Sequence, residues 1–526
     1  MIWAAALAIA ACTGSPDPKP GPKASRAALA DPSQVAHWSN DDLQTFLQGS
    51  MCTECIPERL LWAFEETYPD LYPGGDLRAY GAIGRGPRTI PVGFSRAKPE
   101  FMGGLDSWGI NCASCHVSEV RERPQDPAML ILGSAAAFNV RDFFGAAAVA
   151  MLRTQEWPNL EKFLYVWVRQ GEPDSQRDAQ IDLGRRLTQQ RDAIAAVLLD
   201  DPFASKGVGA REMHSINAAK LDLTGEMLAR GDDLTPMIRE LLKVFHNVRA
   251  SLGIPDVLPP NTETVPGPGR TDAFGVLAKG LLGVTPPAAA PVKYGIIWEL
   301  DRRAWVHWDG NNDNVVARNI AAALGLGTPA AQFMHIEHIQ RQTDLTQTIR
   351  APKYPFAIDR ALAARGEPHY QARCASCHEG PQDDSKLYDP REIGTDINRN
   401  LGVNQAVVDG FNAWLRSQKI AGYTDTRDWV RLTGKYWAST MDGVWARAPY
   451  LHNGSVRTMA DLLSPSRPAS WRRGSTVYDQ APMGFVDVGD FTFDTTQPGN
   501  SAAGHAYGTD LTADQKRELI EYLKTR

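Results

Sequence analysis

The pentapeptide Cys-Ala-Ser-Cys-His occurs twice in this 526-residue chain, at Cys112–His116 and at Cys374–His378. Two thiols at i and i+3 share one helical turn and can each form a thioether with a vinyl group of one haem. The histidine at i+4 then stands over the ring face as an axial iron ligand. With seven cysteines and eleven histidines in the chain, chance supplies only roughly 2 × 10⁻³ such motifs. A zinc site built from the two CxxC pairs is the competing reading. Zinc ribbons of four cysteines keep their halves within a few tens of residues, whereas these pairs lie half the chain apart, and zinc does not explain histidine at the same place twice. The expected cofactors are therefore two covalently bound c-type haems, held by Cys112, Cys115 and His116 and by Cys374, Cys377 and His378.

The remaining cysteines sort by position. Cys52 and Cys55 form a third CxxC, but Ile56 follows, so it lacks the axial ligand. In an exported chain a local disulfide is its simplest fate, with a metal or redox site as the alternative. Cys12 ends an apolar run, Met1 to Ala11, that is too short to span a bilayer. Ile9-Ala10-Ala11-Cys12 resembles a bacterial lipoprotein box with Cys12 as the lipidated residue, although no Lys or Arg precedes it. Export to the periplasm or the cell surface follows, with membrane contact only through a lipid anchor. The most apolar later stretch, Met129 to Met151, is interrupted by Asn139, Arg141 and Asp142 and reads as a buried helix.

The apolar pattern predicts a mainly α fold with long loops and sparse, short strands. Leu160, Phe163, Leu164 and Trp167, and later Ile238, Leu241, Leu242 and Phe245, recur at helical spacing. Residues 254–292 are broken by Pro and Gly and read as loop. Asp359 to Arg373 reads as a helix running into the second CxxCH. Thr512 and Gln515 form a capping box ahead of Leu519, Ile520 and Leu523. The expected organisation is a signal over 1–11, a Pro-rich linker over 12–35, an N-terminal haem domain with large insertions over 36–350 and a C-terminal cytochrome c domain over 351–526. The 43 % hydrophobic content is enough for at least two packed cores. The net charge of −6, with no basic stripe, speaks against nucleic acid as a partner.

Other constellations are weaker. Asp309, Asn311 and Asp313 alternate as at the start of a calcium loop, but Asn314 and Ile320 stand where an EF-hand needs Gly and Glu; only a looser calcium site stays open. His335 and His338 stand at i and i+3 as a metal pair without a third ligand in view. Trp298, Trp305 and Trp308 cluster ahead of the second motif, either as core packing or as an aromatic bridge between two haems.

Several segments resemble the rubber oxygenase-like di-haem c-type cytochromes, relatives of the bacterial di-haem cytochrome c peroxidases and of the tryptophylquinone-maturing di-haem enzyme. These are Thr89-Ile-Pro-Val-Gly-Phe-Ser95, Trp108 to His116, His307-Trp-Asp-Gly-Asn-Asn312, Ile393-Gly-Thr-Asp396, Gly443 to Ser455 (GVWARAPYLHNGS) and Pro498 to Thr509. The resemblance implies two cytochrome c-like haem domains, one haem relaying electrons and the other meeting peroxide or O₂. By position, His505 resembles the family's distal ligand of the C-terminal haem. His452 is the second choice, read as supporting that haem pocket. Implied partners are a redox protein and a peroxide, O₂ or small organic substrate. The expected function is a haem oxidoreductase, peroxidase- or oxygenase-like. The alternatives are a non-catalytic electron carrier with both irons six-coordinate and a haem-based sensor.

Overall fold

The computed structural model describes residues 28–84, 88–171, 178–201, 212–222, 227, 230–254, 264–424 and 427–526. The signal and lipidation site at Cys12, with most of the linker, lie outside the described residues. Helices dominate, and each described strand has two to four residues paired in small antiparallel sheets. Among the described helices none is long and apolar enough to cross a membrane.

The first core is the helical layer anticipated from the apolar spacing. Helices Glu58–Thr67, Val140–Thr154, Asn159–Gly171 and Thr235–Leu252 bring Phe64, Phe143, Phe163, Trp167, Leu241 and Phe245 together. The Met129–Met151 stretch is not one helix. Met129–Leu132 is a strand paired with Val117–Val120, and the helix starts only at Val140, capped by the Asn139 side chain on the Asp142 N–H. Gly133 at φ 78° ends the strand, a backbone angle that breaks any continuous helix. The loop expected over 254–292 likewise contains a short helix, Ala273–Leu277, whose first turn is capped by Asp272. Apolar residues there (Phe274, Ala278) join Val407, Val408, Phe411 and Trp429 in a small separate cluster.

A second core draws on residues from either side of residue 350. Trp38, Phe46, Val117 and Leu132 from the beginning of the chain pack with Trp298, Ile349, Trp445, Tyr478, Leu519 and Leu523. Within it, helix Arg360–Arg373 crosses helix Ala513–Leu523. The Asp359 side chain caps the first, accepting from the Ala361 and Leu362 N–H groups, and Glu521 accepts from the Asp359 N–H at 2.7 Å. The capping box read from Thr512 and Gln515 is formed at the second. These two helices fix the direction in which Cys374–His378 leaves the domain.

Candidate functional site

Each CxxCH forms one short helical turn, Cys112–His116 and Ala375–His378, with a strand, Ser107–Ile110, feeding the first and a helix feeding the second. Both histidines are oriented in the same way. His116 Nδ1 lies 2.8 Å from the Gly295 carbonyl oxygen, and His378 Nδ1 lies 2.7 Å from that of Ser439. A carbonyl only accepts, so each Nδ1 carries the proton and each Nε2 lone pair is left for a metal. Burial, reinforced by Arg318, pushes the His116 pKa down to about 3, and burial also lowers that of His378. Both rings therefore stay neutral, the state a metal ligand requires.

His505 faces His378, with ring centroids 6.2 Å apart. Two imidazoles bound on opposite sides of one metal stand ~6 Å apart, given metal–nitrogen bonds of ~2 Å. The His505 Nδ1 is buried with no hydrogen-bond partner, and burial lowers its pKa to about 4. The turn that presents it is tightly built. Gly504, at φ 73°, rests against the Gly394 carbonyl where any side chain would collide, and the His505 N–H donates to Ile393 O at 2.9 Å. Arg467 donates to the carbonyls of Ala502, Gly504 and His505 and closes the turn. His452 is elsewhere: it is buried with its ring 4.4 Å from that of Tyr436, among Arg270, Arg399 and Lys293, whose charges add to burial in lowering its pKa to about 3.

The first motif opens on a cavity of about 920 Å³ lined by Cys112, Cys115, His116, Phe274, Leu277, Tyr294, His307, Trp308 and Arg318, near the upper end of the ~300–1,000 Å³ usual for small-molecule sites. Among the described residues no second imidazole faces His116 as His505 faces His378; its ring neighbour is Tyr294, at 6.2 Å. His307 is held at φ 71°, with Nδ1 2.7 Å from Asn311 Oδ1 and Nε2 accepting from Arg318 Nε at 3.3 Å. Both of its nitrogens are thus engaged, and burial with Arg318 lowers its pKa to about 4.

The cavity wall is rich in basic side chains, Lys293 and Arg399 buried and Arg303 and Arg318 half-buried. Of these only Arg399 has a carboxylate within 4 Å among the described residues, Asp309 at 3.1 Å. Just behind, Arg270, Arg447 and Arg473 are buried, each with an unpartnered nitrogen, and burial pulls their pKa values down to about 9, 9 and 10. Unpaired buried cations are costly. A macrocycle bearing two carboxylates is the kind of group that offsets them, so the residues present fit a haem.

The weaker sequence expectations resolve as follows. Trp305 and Trp308 line the cavity, whereas Trp298 is fully buried in the second core, its indole N–H on Asp442 O. Of the calcium candidates, Asp309 pairs with Arg399 and Asp313 with Arg427, and among the described residues no three His, Cys, Asp or Glu side chains form a metal cluster. The disulfide expected between Cys52 and Cys55 does not join them in this structure, where the Cys52 Sγ accepts the His335 N–H at 3.4 Å. Arg318 was invisible to sequence reasoning, since a lone Arg within a helix carries no signal.

Comparison with known proteins adds the decisive observation for the second site. Residues 434–472 match the model of the RoxA-like, cytochrome c-like family. This segment contains Ser439, whose carbonyl oxygen orients His378, so the match touches the second site, and a cytochrome c-like segment implies a c-type haem. The chain is also 33 % identical over 288 residues to the uncharacterized protein y4iM of Sinorhizobium fredii, across 46 % of this chain and 66 % of that protein. A second relative from the same organism, the uncharacterized protein y4iJ, is 27 % identical over 330 residues, across 45 % of this chain and 55 % of its own length. The chain thus spans less than two thirds of either relative.

Proposed function

We propose that this chain is an exported di-haem c-type cytochrome acting as an oxidoreductase of the di-haem peroxidase superfamily, lipid-anchored through Cys12. A c-type haem at each CxxCH supplies one-electron transfer and, where an axial position is open, reaction with peroxide or O₂. The observation that carries the reading is the asymmetry between the two sites. His378 and His505 are arranged to hold an iron from both sides, a ligand set that need not change with redox state. His116 would hold an iron without a second imidazole opposite it, and it faces a cavity large enough for the macrocycle and a small oxidant.

The chain's own groups then have distinct tasks. Gly295 O and Ser439 O fix the two proximal imidazoles in their metal-binding tautomer. Lys293 and Arg303, basic side chains in the cavity wall without a carboxylate within 4 Å among the described residues, would bind the carboxylates of the macrocycle. Arg318, held by His307, keeps a positive charge beside His116 and favours any anion that forms there. Trp305 and Trp308 line the cavity and would offer an aromatic path for electrons exchanged with a redox partner protein.

Electron paramagnetic resonance of the oxidised full-length protein tests the reading. One high-spin ferric signal beside one low-spin signal is expected. Two low-spin signals would refute it in favour of a pure electron carrier.

A further inference from the structure

Cys52 and Cys55 take no part in the sites described so far, yet their surroundings are those of a reactive dithiol. The Cys52 Sγ sits at the N-terminus of the 13-residue helix Ile336–Thr348, where it accepts the His335 N–H at 3.4 Å. The His338 imidazole, one turn further on, is near enough to the same sulfur for its pKa to be raised by it. The Thr328 hydroxyl donates to Cys52 O at 2.7 Å, and Cys52 is held at φ 60°. Cys55 follows at the CxxC spacing and packs against Gly327, where a side chain would come within 2.9 Å of its Sγ.

We propose that Cys52 and Cys55 form a redox-active dithiol, with Cys52 as the attacking thiolate, Cys55 as the resolving thiol and a small hydroperoxide as the oxidant. Three features that favour thiolate over thiol coincide at one sulfur: a helix N-terminus, an adjacent imidazole and a CxxC partner. The imidazole responds in kind, its pKa raised first of all by the hydrogen bond to Cys52, as in a thiolate–imidazolium pair. Cys52 is only 2 % exposed, beneath the half-buried His335 and His338. That burial excludes a protein-sized disulfide partner and selects a co-reactant as small as hydrogen peroxide.

The chemistry balances without a further reductant. The Cys52 thiolate attacks one peroxide oxygen, the O–O bond breaks, and the leaving hydroxide takes the His338 proton to become water. The resulting sulfenic acid (Cys–SOH) condenses with the Cys55 thiol to give the disulfide and a second water. Two electrons pass from the dithiol to one peroxide. Closing the disulfide draws the sulfur away from His335 and His338. The flanking Met51 and Thr53 line the large cavity, and Met51 Sδ lies 3.4 Å from Cys112 Sγ, so that wall registers the change.

The test is a pulse of hydrogen peroxide on the reduced, full-length protein, quenched with an alkylating agent and read by mass spectrometry of the peptide spanning residues 52–55. Loss of two hydrogens through a Cys52–Cys55 disulfide is expected, roughly tenfold faster than oxidation of free cysteine at pH 7, where an unperturbed thiol is only a few per cent thiolate. Dithiothreitol should restore both thiols. His338→Gln should slow the reaction about tenfold. Cys55→Ser should stop it at a sulfenic acid that a dimedone probe captures on Cys52. A wild-type dithiol that reacts no faster than free cysteine overturns the proposal, as does an unchanged rate in His338→Gln or one tightly held zinc ion at these thiols.

Discussion

Gly366 lies where helix Arg360–Arg373 crosses helix Ala513–Leu523, and Gly366→Ala sets two opposing effects against each other. Alanine within a helix is favoured over glycine by ~1 kcal/mol. The new Cβ, however, would stand 2.5 Å from the Glu518 carbonyl carbon and 2.9 Å from Tyr522 Cβ. Relaxing carbon–carbon contacts towards ~3.5 Å requires the helices to part by about 1 Å. That separation stretches Arg365–Glu518 at 2.7 Å, His369–Glu518 at 3.1 Å and the Asp359 N–H to Glu521 bond at 2.7 Å. Overpacking at such a contact costs ~1–3 kcal/mol on its own, and the lost bonds add to it. The net expectation is a loss of about 2 kcal/mol, or a Tm lower by roughly 4–8 °C for a unit of this size, read by far-UV circular dichroism. A Tm that rises would mean that helix propensity wins, and the close crossing that aims Cys374–His378 would be refuted.

Haem stoichiometry is checked by a pyridine haemochrome assay after acid–acetone extraction: two retained haems per chain are expected, falling to one in Cys374→Ala/Cys377→Ala. His505→Gly should convert a low-spin haem to high-spin and let it bind added imidazole, whereas His452→Gly should leave the spin state alone and lower stability; the reverse would mean that ligand and support are exchanged. Burial, with Asp76 adding and Arg88 opposing, pushes the Glu65 carboxyl up to about 8 from an ordinary 4.5. Between those values the folded chain keeps a proton that the unfolded chain has released, so stability falls as pH rises through the window and levels off above it. Glu65→Gln should therefore stabilise the protein at pH 8, by up to ~1.4 kcal/mol per unit of the window crossed, and change little at pH 4; equal effects at both pH values would exclude the buried acid as the cause.

What the sequence disclosed were the features fixed by local chemistry. The CxxCH spacing, the capping box at Thr512 and the helix from Arg360 all depend on residues within one or two turns of each other, and each is found in the structure. What it hid depends on partners far along the chain. Gly133 breaks the apolar run because Trp298 and Ile349 pack against it. Asp309 and Asp313 look like cation ligands until Arg399 and Arg427, about a hundred residues on, take them. The fate of Cys52 was decided by His335 and His338, nearly three hundred residues away. No periodicity encodes such pairings.

The second core has a consequence for how the molecule is made. Its first strands, at residues 117–132, pair with each other and pack with Leu29, Trp298 and Ile349, but part of their cover, residues 445–523, comes more than three hundred positions later. As the chain is synthesised, the segment carrying Cys112 and His116 emerges long before the surfaces that shelter it. Closing loops of this length is slow, and the exposed strand edges invite aggregation meanwhile. The segment from 112 to 132 therefore stays partly uncovered during that interval, and a chain truncated before residue 445 leaves the second core unfinished.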